Sequence, residues 1–419
     1  MIAGLVLFED AGWRTLRPLT DLLPVPALAF GGSTLGERVR RAAGVERFAV
    51  AGRAEPLAAW TARAEGSAVA PPDPANANGD VLVVLAAALP ARWLDTLLGE
   101  RDGTRAACFA GDRLVAARLP AARLAPHVAA GERLGERLAS LDLPRRGVEA
   151  RVVDWPWQLI EWNAEALAAD LGAAGNVAGD VHPSAVLLDP ARITVAAGAR
   201  IDPLAVLDAR GGAIAVGPRA VIESHSRIVG PCAIGEGTQI LGGVVGGSTI
   251  GPECRLAGEI EATIWQGFAN KRHHGFVGHS VIGEWVNLGA LTTTSDLKNN
   301  YGAVRVTIDG REIDSGNPKV GSIVGAHVKT GIGTLLPTGA VVGTGANLFG
   351  GGRFASKSTA SFAWWDGTRT VEHTLDKFLS TARIAMGRRG RTLGDAEERL
   401  LRAVFAATAG ERRASAPVS

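Results

Sequence analysis

The sequence predicts an α/β domain, then a parallel β-helix, then a helical tail. Three observations predict this order. Strand-like and helix-like segments alternate over residues 1 to 178, a six-residue repeat fills residues 179 to 353, and helical patterns return over 354 to 419. A chain of 419 residues has enough mass for two or three such units.

The first unit alternates buried strands with amphipathic helices. "GLVLFE" and "DVLVVLAAAL" are typical of buried strands, and "TLGERVRRAAG" and "PARWLDTLLGE" of helices. This alternation predicts an α/β domain with a largely parallel sheet. The opening "MIAGLVLFED" has no basic region, so we expect a first strand rather than a signal peptide. The Trp-rich segment 154 to 163, "DWPWQLIEWN", is expected to pack this domain against the next unit.

The second unit is predicted from a six-residue spacing that recurs in three runs. A six-residue unit is not α-helical, because 3.6 residues per turn does not divide it into whole turns. Three such units make one triangular coil of a parallel β-helix, with the repeated residue inside and a small residue at the turn. The runs are Val216, Ile222, Ile228, Ile234 and Ile240; Ile264, Asn270, Phe276, Ile282 and Leu288; and Val324, Thr330, Leu336, Val342 and Leu348.

The repeat is interrupted at residues 294 to 319. "VRVTIDGREI" contains two strand-like runs around Asp309-Gly310, which predicts a hairpin projecting from the coil. Loops on rigid scaffolds often carry function. After residue 354, "SFAWWDG" and two helical segments are expected to close the open end of the coil, since that end is an unpaired sheet edge.

Composition narrows the functional classes. A net charge of +2 gives no indication of nucleic-acid binding, and no apolar run reaches the roughly 18 residues of a membrane span. The three cysteines, Cys108, Cys232 and Cys254, form no C-x-x-C motif. We therefore expect buried thiols in a reducing, cytoplasmic compartment.

The most polar stretch is residues 270 to 302, "NKRHHGFVGHSVIGEWVNLGALTTTSDLKNNYG". Its frame H-x-x-[YF]-x-G…IG-x-x-VN-[IL]-GA-x-T, within a hexapeptide repeat behind an α/β domain, resembles the bifunctional sugar-1-phosphate nucleotidyltransferase/acetyltransferase family, in a divergent branch of sugar nucleotidyltransferases. The resemblance implies a Rossmann-like nucleotidyltransferase domain at 1–178, a left-handed β-helix acyltransferase domain at 179–353, and a cap with a helical tail at 354–419. It also implies a homotrimer with active sites between neighbouring coils.

Acyl transfer to an amine requires a base, donors for the oxyanion and a groove for the thioester. The resemblance places His273 on the catalytic histidine, with His274 as the alternative. His279 lies on the next unit and is expected to be a supporting residue or a satisfied core histidine. It implies acetyl-CoA as donor and an amino sugar phosphate or nucleotide sugar as acceptor. The expected acceptor residues are Asn270, Lys271, Arg272, Phe276, Asn287, Asn300 and Tyr301, of which the last two lie on the loop and either close over a substrate or are merely solvated. Ala290 matches a position of the family's CoA groove, and Thr330 and Gly331, on a later coil, are expected to line the same groove.

Two departures from the family pattern concern the acceptor. Phe276 stands where the family usually has tyrosine, and "GEIEAT" at 258–263 is acidic where the family has lysines that hold phosphate. Lys271 and Arg272 are expected to replace those lysines. For Asn287 an alternative stays open, in which the side chain is stacked inside the coil and hydrogen-bonds along the ladder.

The N-terminal loop "FEDAGWRTLRPLTDLLPVPAL" resembles the family's triphosphate loop in part. The resemblance implies that Gly12, Arg14 and Arg17 contact phosphate, although the two arginines also fit a solvated loop. Ala86 and Ala87 stand where the family has the carboxylate that holds Mg²⁺. We therefore predict that the domain has no metal site. Mg²⁺ would be required only if the domain is an active nucleotidyltransferase. The domain either binds a nucleotide sugar without turnover or uses a rearranged site.

Three functions remain open from the sequence. The leading hypothesis is an acetyltransferase joined to a degenerate sugar nucleotidyltransferase domain. The second is an active sugar-1-phosphate nucleotidyltransferase with the β-helix as regulatory domain. The third is a non-catalytic trimeric scaffold. The expected partners are acetyl-CoA, a sugar phosphate or nucleotide sugar, and further copies of the chain, with no nucleic acid and no membrane.

Overall fold

A six-stranded sheet forms the centre of the N-terminal domain. The computed structural model describes residues 2–63, 79–100, 105–172 and 175–415. The strands of the domain are β1 Ile2–Phe8, β2 Ala29–Phe30, β3 Ser33–Thr34, β4 Ala49–Ala51, β5 Asp80–Leu85, β6 Ala106–Ala110, β7 Arg113–Pro120 and β8 Arg145–Gly147. The central sheet has the order β4-β1-β5-β7-β6-β8, and β2 pairs with β3 as a separate ribbon.

Five of the six strands of this sheet run in the same direction, so the prediction of a largely parallel sheet is confirmed, with β7 as the single reversed strand. β1 runs parallel to β4 and β5, and β6 to β8, but β7 is antiparallel to both of its neighbours. The reason is the connection between β6 and β7, which consists of Gly111 and Asp112 alone. Two residues suffice for a hairpin, whereas a parallel crossover needs a dozen or more.

The described part of this domain contains six α-helices, and the predicted helical segments are among them. The side chain of Thr34 caps the first by accepting a hydrogen bond from the backbone N–H of Glu37 at 3.2 Å. The helices are α1 Leu35–Ala42, α2 Ala54–Arg63, α3 Arg92–Leu98, α4 Ala121–Leu124, α5 Leu134–Ala139 and α6 Pro156–Leu171. Short 3-10 helices lie at Ala11–Leu16, Val25–Ala27, Ala125–Arg133 and Pro190–Arg192.

Helix α6 carries the Trp-rich segment and joins the domain to the coil. The Oδ1 atom of Asn163 accepts one hydrogen bond from the backbone N–H of Gly31 at 2.9 Å and one from the hydroxyl of Thr249 at 3.0 Å. Gly31 belongs to the N-terminal domain and Thr249 to the coil. The prediction that this segment packs the two units together is confirmed.

The second unit is a parallel β-helix with three faces, as predicted. The first face packs against the N-terminal domain and contains Ile193–Val195, Ile214–Val216, Cys232–Ile234, Thr249–Ile250, Ile264–Trp265, Val281–Ile282, Ile323–Val324, Val341–Val342 and Ser358–Thr359. The second face contains Asp180–Val181, Arg200–Ile201, Val221–Ile222, the first parts of Gln239–Gly246 and Arg255–Glu261, then Asn270–Lys271, Lys329–Thr330, Asn347–Leu348 and Ala363–Trp365. The third face contains Val186–Leu188, Val206–Asp208, Ser226–Val229, the last parts of the same two long strands, then Phe276–Gly278, Thr293–Thr294 and Leu335–Leu336.

The six-residue grid identifies the interior of the coil in its first and third runs. Those residues are buried in its core, with Thr330 the polar member. In the second run the inward positions include Trp265, Lys271 and Val277, one residue later than the grid places them. Asn270 and Phe276 therefore face outward, which corrects the prediction. The cause is strand register, since Lys271 lies directly beside the inward Leu256 on the neighbouring strand.

The interruption forms a hairpin, as predicted. Its strands, Arg305–Ile308 and Arg311–Asp314, pair antiparallel around Asp309 and Gly310. Val304, Val306 and Ile308 are buried in the core of the N-terminal domain. The hairpin therefore braces the two units and is not a free loop over a substrate.

The described part of the tail contains three helices, α7 Leu375–Gly387, α8 Asp395–Ala407 and α9 Ala409–Ser415. They were expected to close the open end of the coil. Instead, α7 and α8 pack along its side, where Phe378 and Leu379 share a core with Trp285 and Phe362 of the coil. The sheet edge near the end is covered by Thr370–Glu372, which pairs antiparallel with Ala363–Trp365. Within the described ranges, no helix is long and apolar enough to cross a membrane.

Candidate functional site

The corner between the second and third faces carries His273 and His274. We call the stacked turns 272–275, 289–292 and 331–334 the histidine corner. Both histidine side chains are exposed there. Inside the coil, the Nζ atom of Lys271 donates hydrogen bonds to the carbonyl oxygens of His273 at 2.8 Å and His274 at 3.0 Å. Lys271 therefore holds this turn from within.

The position of Lys271 corrects its predicted role. Its side chain is fully buried, and burial lowers its pKa to about 8. A phosphate outside the coil cannot reach an amine whose hydrogen bonds end on interior carbonyl oxygens. Arg272 is exposed and remains available as a replacement for the missing lysines.

Two of the three predicted donor-binding residues lie on the histidine corner. The backbone N–H of Leu291 donates to the carbonyl oxygen of His274 at 2.9 Å, and the N–H of Gly333 donates to that of Ala290 at 2.8 Å. These bonds stack Ala290 and Gly331 on consecutive turns beside the histidines. The third residue, Thr330, is buried, and its hydroxyl lies 2.7 Å from that of Thr292. Its side chain therefore faces the interior of the coil and not a groove.

A further histidine lies at the other edge of the third face. The Nδ1 atom of His279 is 2.7 Å from the Oδ2 atom of Asp296, and both side chains are largely buried. Among the residues that the structure describes, the Nε2 atom of His279 has no hydrogen-bond partner. A histidine oriented by a carboxylate through one nitrogen has the arrangement of a general base.

Asp296 was not predicted from the sequence, although a signal was available. His279 and Asp296 are 17 residues apart, and so are Asn270 and Asn287, which also lie on consecutive coils. Because one coil takes 17 residues in this part of the chain, the spacing alone pairs the two side chains. Recognition of this coil length would have placed a carboxylate next to His279.

The surroundings of Asp296 are tightly packed. Burial alone would raise the pKa of the Asp296 carboxyl, but the hydrogen bond from His279 and the charges of His279 and Lys319 lower it overall. A Cβ atom at Gly278 would clash with the Phe276 ring and would lie 2.6 Å from Oδ2 of Asp296. Glycine is therefore required for Phe276 to lie beside the carboxylate.

Asn270 and Asn287 lie together on the outer side of the second face. The Nδ2 atom of Asn270 donates to Oδ1 of Asn287 at 2.7 Å, and Lys329 continues the same column. The alternative for Asn287 was therefore right about a ladder hydrogen bond and wrong about its position inside the coil. Asn300 and Tyr301 are exposed on the turn before the hairpin. The polar residues of segment 270–302 therefore lie on two different faces of the coil.

The predicted phosphate contacts of the N-terminal domain differ in availability. Arg17 is already engaged, because its guanidinium lies 2.7 Å from Asp21 and 2.9 Å from Glu411 of α9. It therefore ties the domain to the tail. Arg14 is exposed and lies over the ring of Trp13.

The loop at Gly12 is occupied by the domain's own side chains. Asp10 accepts a hydrogen bond from the backbone N–H of Gly12 at 3.0 Å and pairs with Arg113, which also pairs with Asp154. A Cβ atom at Gly12 would clash with Nη2 of Arg113. The carboxylate of Asp10 thus takes the backbone donor that a phosphate would use, so this loop is poorly suited to a triphosphate.

The residues of this domain do not fit a catalytic Mg²⁺ ion. Mg²⁺ prefers carboxylate and phosphate oxygens. Ala86 and Ala87, which follow β5, are buried and offer no side-chain oxygen. In the described part of the chain no group of three or more His, Cys, Asp or Glu residues is arranged to hold a metal.

Comparisons with known proteins agree with the two-part architecture. Residues 5–175 match a family model described as sugar nucleotidyl transferase. The chain is 39% identical over 79 residues to the bifunctional sugar-1-phosphate nucleotidylyltransferase/acetyltransferase of Sulfurisphaera tokodaii. This alignment covers 19% of this chain and 20% of that protein. The chain is 36% identical over 86 residues to the bifunctional protein GlmU of Methanocaldococcus jannaschii. This second alignment covers 20% of this chain and 21% of that protein. The chain thus spans about a fifth of the length of these curated relatives.

Two of the solved structures with low overall similarity to the chain are acyltransferases. UDP-N-acetylglucosamine acyltransferase from Campylobacter jejuni matches with a TM-score of 0.26 and 16% identity, over 54% of this chain and 82% of that one. A mutant of AntD, an N-acyltransferase from Bacillus cereus in complex with dTDP and coenzyme A, matches with a TM-score of 0.17 and 14% identity, over 50% of this chain and 87% of that one.

Proposed function

We propose that the chain is an acetyl-CoA-dependent N-acetyltransferase joined to the domain at residues 5–175 that matches the sugar nucleotidyl transferase model. Its acceptor is an amino sugar that carries a phosphate or a nucleotide. The observation that supports this most is the histidine corner, where His273 stands on consecutive turns with Ala290 and Gly331. Similarity to bifunctional nucleotidylyltransferase/acetyltransferases supports the same reaction class.

In the proposed reaction the amine nitrogen of the sugar attacks the thioester carbonyl of acetyl-CoA. His273 removes a proton from the nitrogen, the carbon–sulfur bond breaks, and the thiolate of CoA leaves and takes up a proton. His273 suits this role because its ring is exposed at the corner, on a turn that Lys271 holds from inside. A base must reach the proton that it removes.

His279 is the second candidate base, and a specific observation favours it. Its bond to Asp296 orients the ring, as the aspartate of a catalytic triad orients its histidine. Against it, the ring is largely buried and less accessible to a sugar. We propose that His279 and Asp296 support the third face, while His273 carries the proton transfer.

We propose that the active unit is a homotrimer. Large apolar side chains are exposed on the histidine corner and on the turn that follows it, namely Leu291 at 57%, Ile332 at 73%, Phe349 at 45% and Phe354 at 64%. We call these four side chains the apolar strip, and exposed apolar side chains close together are typical of a protein–protein contact. A second copy of the chain would cover the strip and complete a cleft over His273.

A double Leu291→Ser, Ile332→Ser substitution is expected to reduce the oligomer to monomers, because it removes apolar area from the proposed contact. Light scattering of the purified full chain measures this. Val371→Ser, which alters an equally exposed residue on the tail, is the control and should leave the mass unchanged. A wild-type chain that is monomeric at micromolar concentration would contradict the trimer.

The N-terminal domain is expected to release little or no pyrophosphate from a nucleoside triphosphate and a sugar-1-phosphate in the presence of Mg²⁺. The Gly12 loop is filled by the Asp10–Arg113 pair, and no carboxylate stands at Ala86 or Ala87 after β5. A pyrophosphate assay with the four common nucleoside triphosphates checks this. Rapid turnover would instead support the second function, a working nucleotidyltransferase with a regulatory β-helix.

A non-catalytic scaffold is the third function, and it predicts neither thiol nor pyrophosphate release.

We also propose a reducing, cytoplasmic location, which three unpaired, buried cysteines support. Burial raises the pKa of the Cys232 and Cys254 thiols to about 12, so neither is reactive. Fractionation of cells that express the tagged chain tests the location.

A further inference from the structure

A cavity of about 290 Å³ lies between α7 and the second face of the coil. We call it the α7 pocket. Lys329 lines it from the coil, and Arg388 and Arg389 line it from the residues that follow α7. No acidic side chain is found among its described lining residues. Three cations thus converge on one small space.

Two of the three cations of the α7 pocket, Lys329 and Arg389, carry nitrogen atoms without a hydrogen-bond partner in the described part of the chain. In the described part of the chain, the Nζ atom of Lys329 has no hydrogen-bond or ion-pair partner, and burial lowers the pKa of this amine to about 8. The Nε atom of Arg389 is buried and has no hydrogen-bond partner there. The nearby acid Glu253 is 3.1 Å from Arg255 and is therefore already paired.

Cations that are withdrawn from water without partners are costly to the folded state. An isolated ammonium in a low-dielectric site favours its neutral form, which explains the lowered pKa of Lys329. An anion bound in the α7 pocket offsets this cost to the folded state, because a charge-assisted hydrogen bond in such a site is strong. The arrangement is therefore expected of an anion-binding site.

The other walls of the pocket add selectivity. The rings of Phe268 and Trp285 stack with centroids 4.3 Å apart and form an apolar wall. The Asn270–Asn287 pair also lines the pocket and offers amide groups. The volume suits a sugar phosphate or a diphosphate and is too small for a whole coenzyme A molecule.

We propose that the α7 pocket binds the phosphate or diphosphate group of a small organic molecule, with Lys329 and Arg389 as the anion contacts and the Phe268–Trp285 wall against the rest of the ligand. This inference does not require that the chain be an acetyltransferase. The same chemistry is carried by a phosphorylated acceptor and by the phosphates of coenzyme A.

The test is calorimetric titration of the full chain with inorganic pyrophosphate. Lys329→Met and Arg389→Met are each expected to weaken binding by about 10-fold or more, the usual effect of losing one charged hydrogen bond. Lys377→Met is the matched control, because Lys377 is an exposed cation on α7 that does not line the pocket. It should leave the affinity within about 2-fold of wild type, since it removes only a distant, screened charge.

Folding of the variants is checked by thermal unfolding. Lys329→Met should unfold at or above the wild-type temperature, because it removes an uncompensated charge from a largely buried position. Pyrophosphate should raise the unfolding temperature of the wild type and not that of Lys329→Met. The proposal is overturned if the wild type binds no pyrophosphate, or if all three variants bind it equally well.

Titrations with glucosamine-1-phosphate and with coenzyme A distinguish the two sources of phosphate. If the acceptor supplies it, Lys329→Met weakens glucosamine-1-phosphate alone, and if the donor supplies it, the variant weakens coenzyme A alone. Both results support the pocket. Because binding is measured without turnover, absence of acetyl transfer would count against the proposed function and leave this inference standing.

Discussion

His273→Ala is expected to reduce the rate of acetyl transfer by about 10² to 10⁴-fold, the usual contribution of a positioned general base. The fold should be unchanged, because the side chain is exposed at the corner and Lys271 bonds only to the backbone oxygen of this residue. Release of the CoA thiol measures the rate, and circular dichroism checks the fold. The limb of the pH–rate profile that a base produces should be absent from the variant.

The matched control is His225→Ala. His225 is an exposed histidine with a positive φ on an earlier turn of the same corner, away from the proposed site, so its loss should leave the rate unchanged. His279→Ala and Asp296→Asn should affect stability more than rate. If instead these two variants abolish transfer while His273→Ala keeps full activity, His279 is the base. Full activity in His273→Ala, His274→Ala and His279→Ala alike would make the cluster structural.

Ile228→Asp is expected to destabilise the coil by roughly 3 kcal/mol or more, the cost of burying an unpaired charge. Ile228 is fully buried in the centre of the coil, where its neighbours are aliphatic. Urea or thermal unfolding of the purified chain measures the loss. Failure to accumulate as soluble protein would be the extreme form of the same effect.

Val244→Asp is the control for this prediction. Val244 lies on the adjacent strand of the same face and is exposed, because its side chain points away from the core. A carboxylate there stays in water, so we expect a change within about 0.5 kcal/mol. Equal destabilisation by the two substitutions would contradict the assignment of the coil interior.

The coil could be predicted from the sequence because a repeat states the same physical requirement many times. Each of Ile222, Ile228 and Ile234 fills an interior position of the coil, so the period is visible without a structure. The prediction failed in the second run, where the interior residues Trp265, Lys271 and Val277 each lie one residue after a grid position. Lys271 is inward and Asn270 outward, and hydrophobicity alone cannot show this when the buried amine is satisfied by carbonyl oxygens.

The candidate site was harder to predict, because its contacts depend on how the coils stack. The stacking of Ala290 beside the histidine turn follows from the coil period, and so does the pairing of His279 with Asp296. The engagement of Arg17 by Glu411 joins residues near opposite ends of the chain, and no local pattern indicates it. The α7 pocket likewise exists only because the tail folds back along the coil.

The acetyltransferase assignment is tested most directly by thiol release from acetyl-CoA, measured for the purified wild-type chain with a panel of amino sugars, amino sugar phosphates and amino nucleotide sugars. We predict that at least one phosphorylated or nucleotide-linked amino sugar stimulates release well above the rate without acceptor, and that the acetylated sugar forms in equal amount. If no member of the panel stimulates release by a chain that is folded and oligomeric, the assignment is contradicted and the scaffold function gains support.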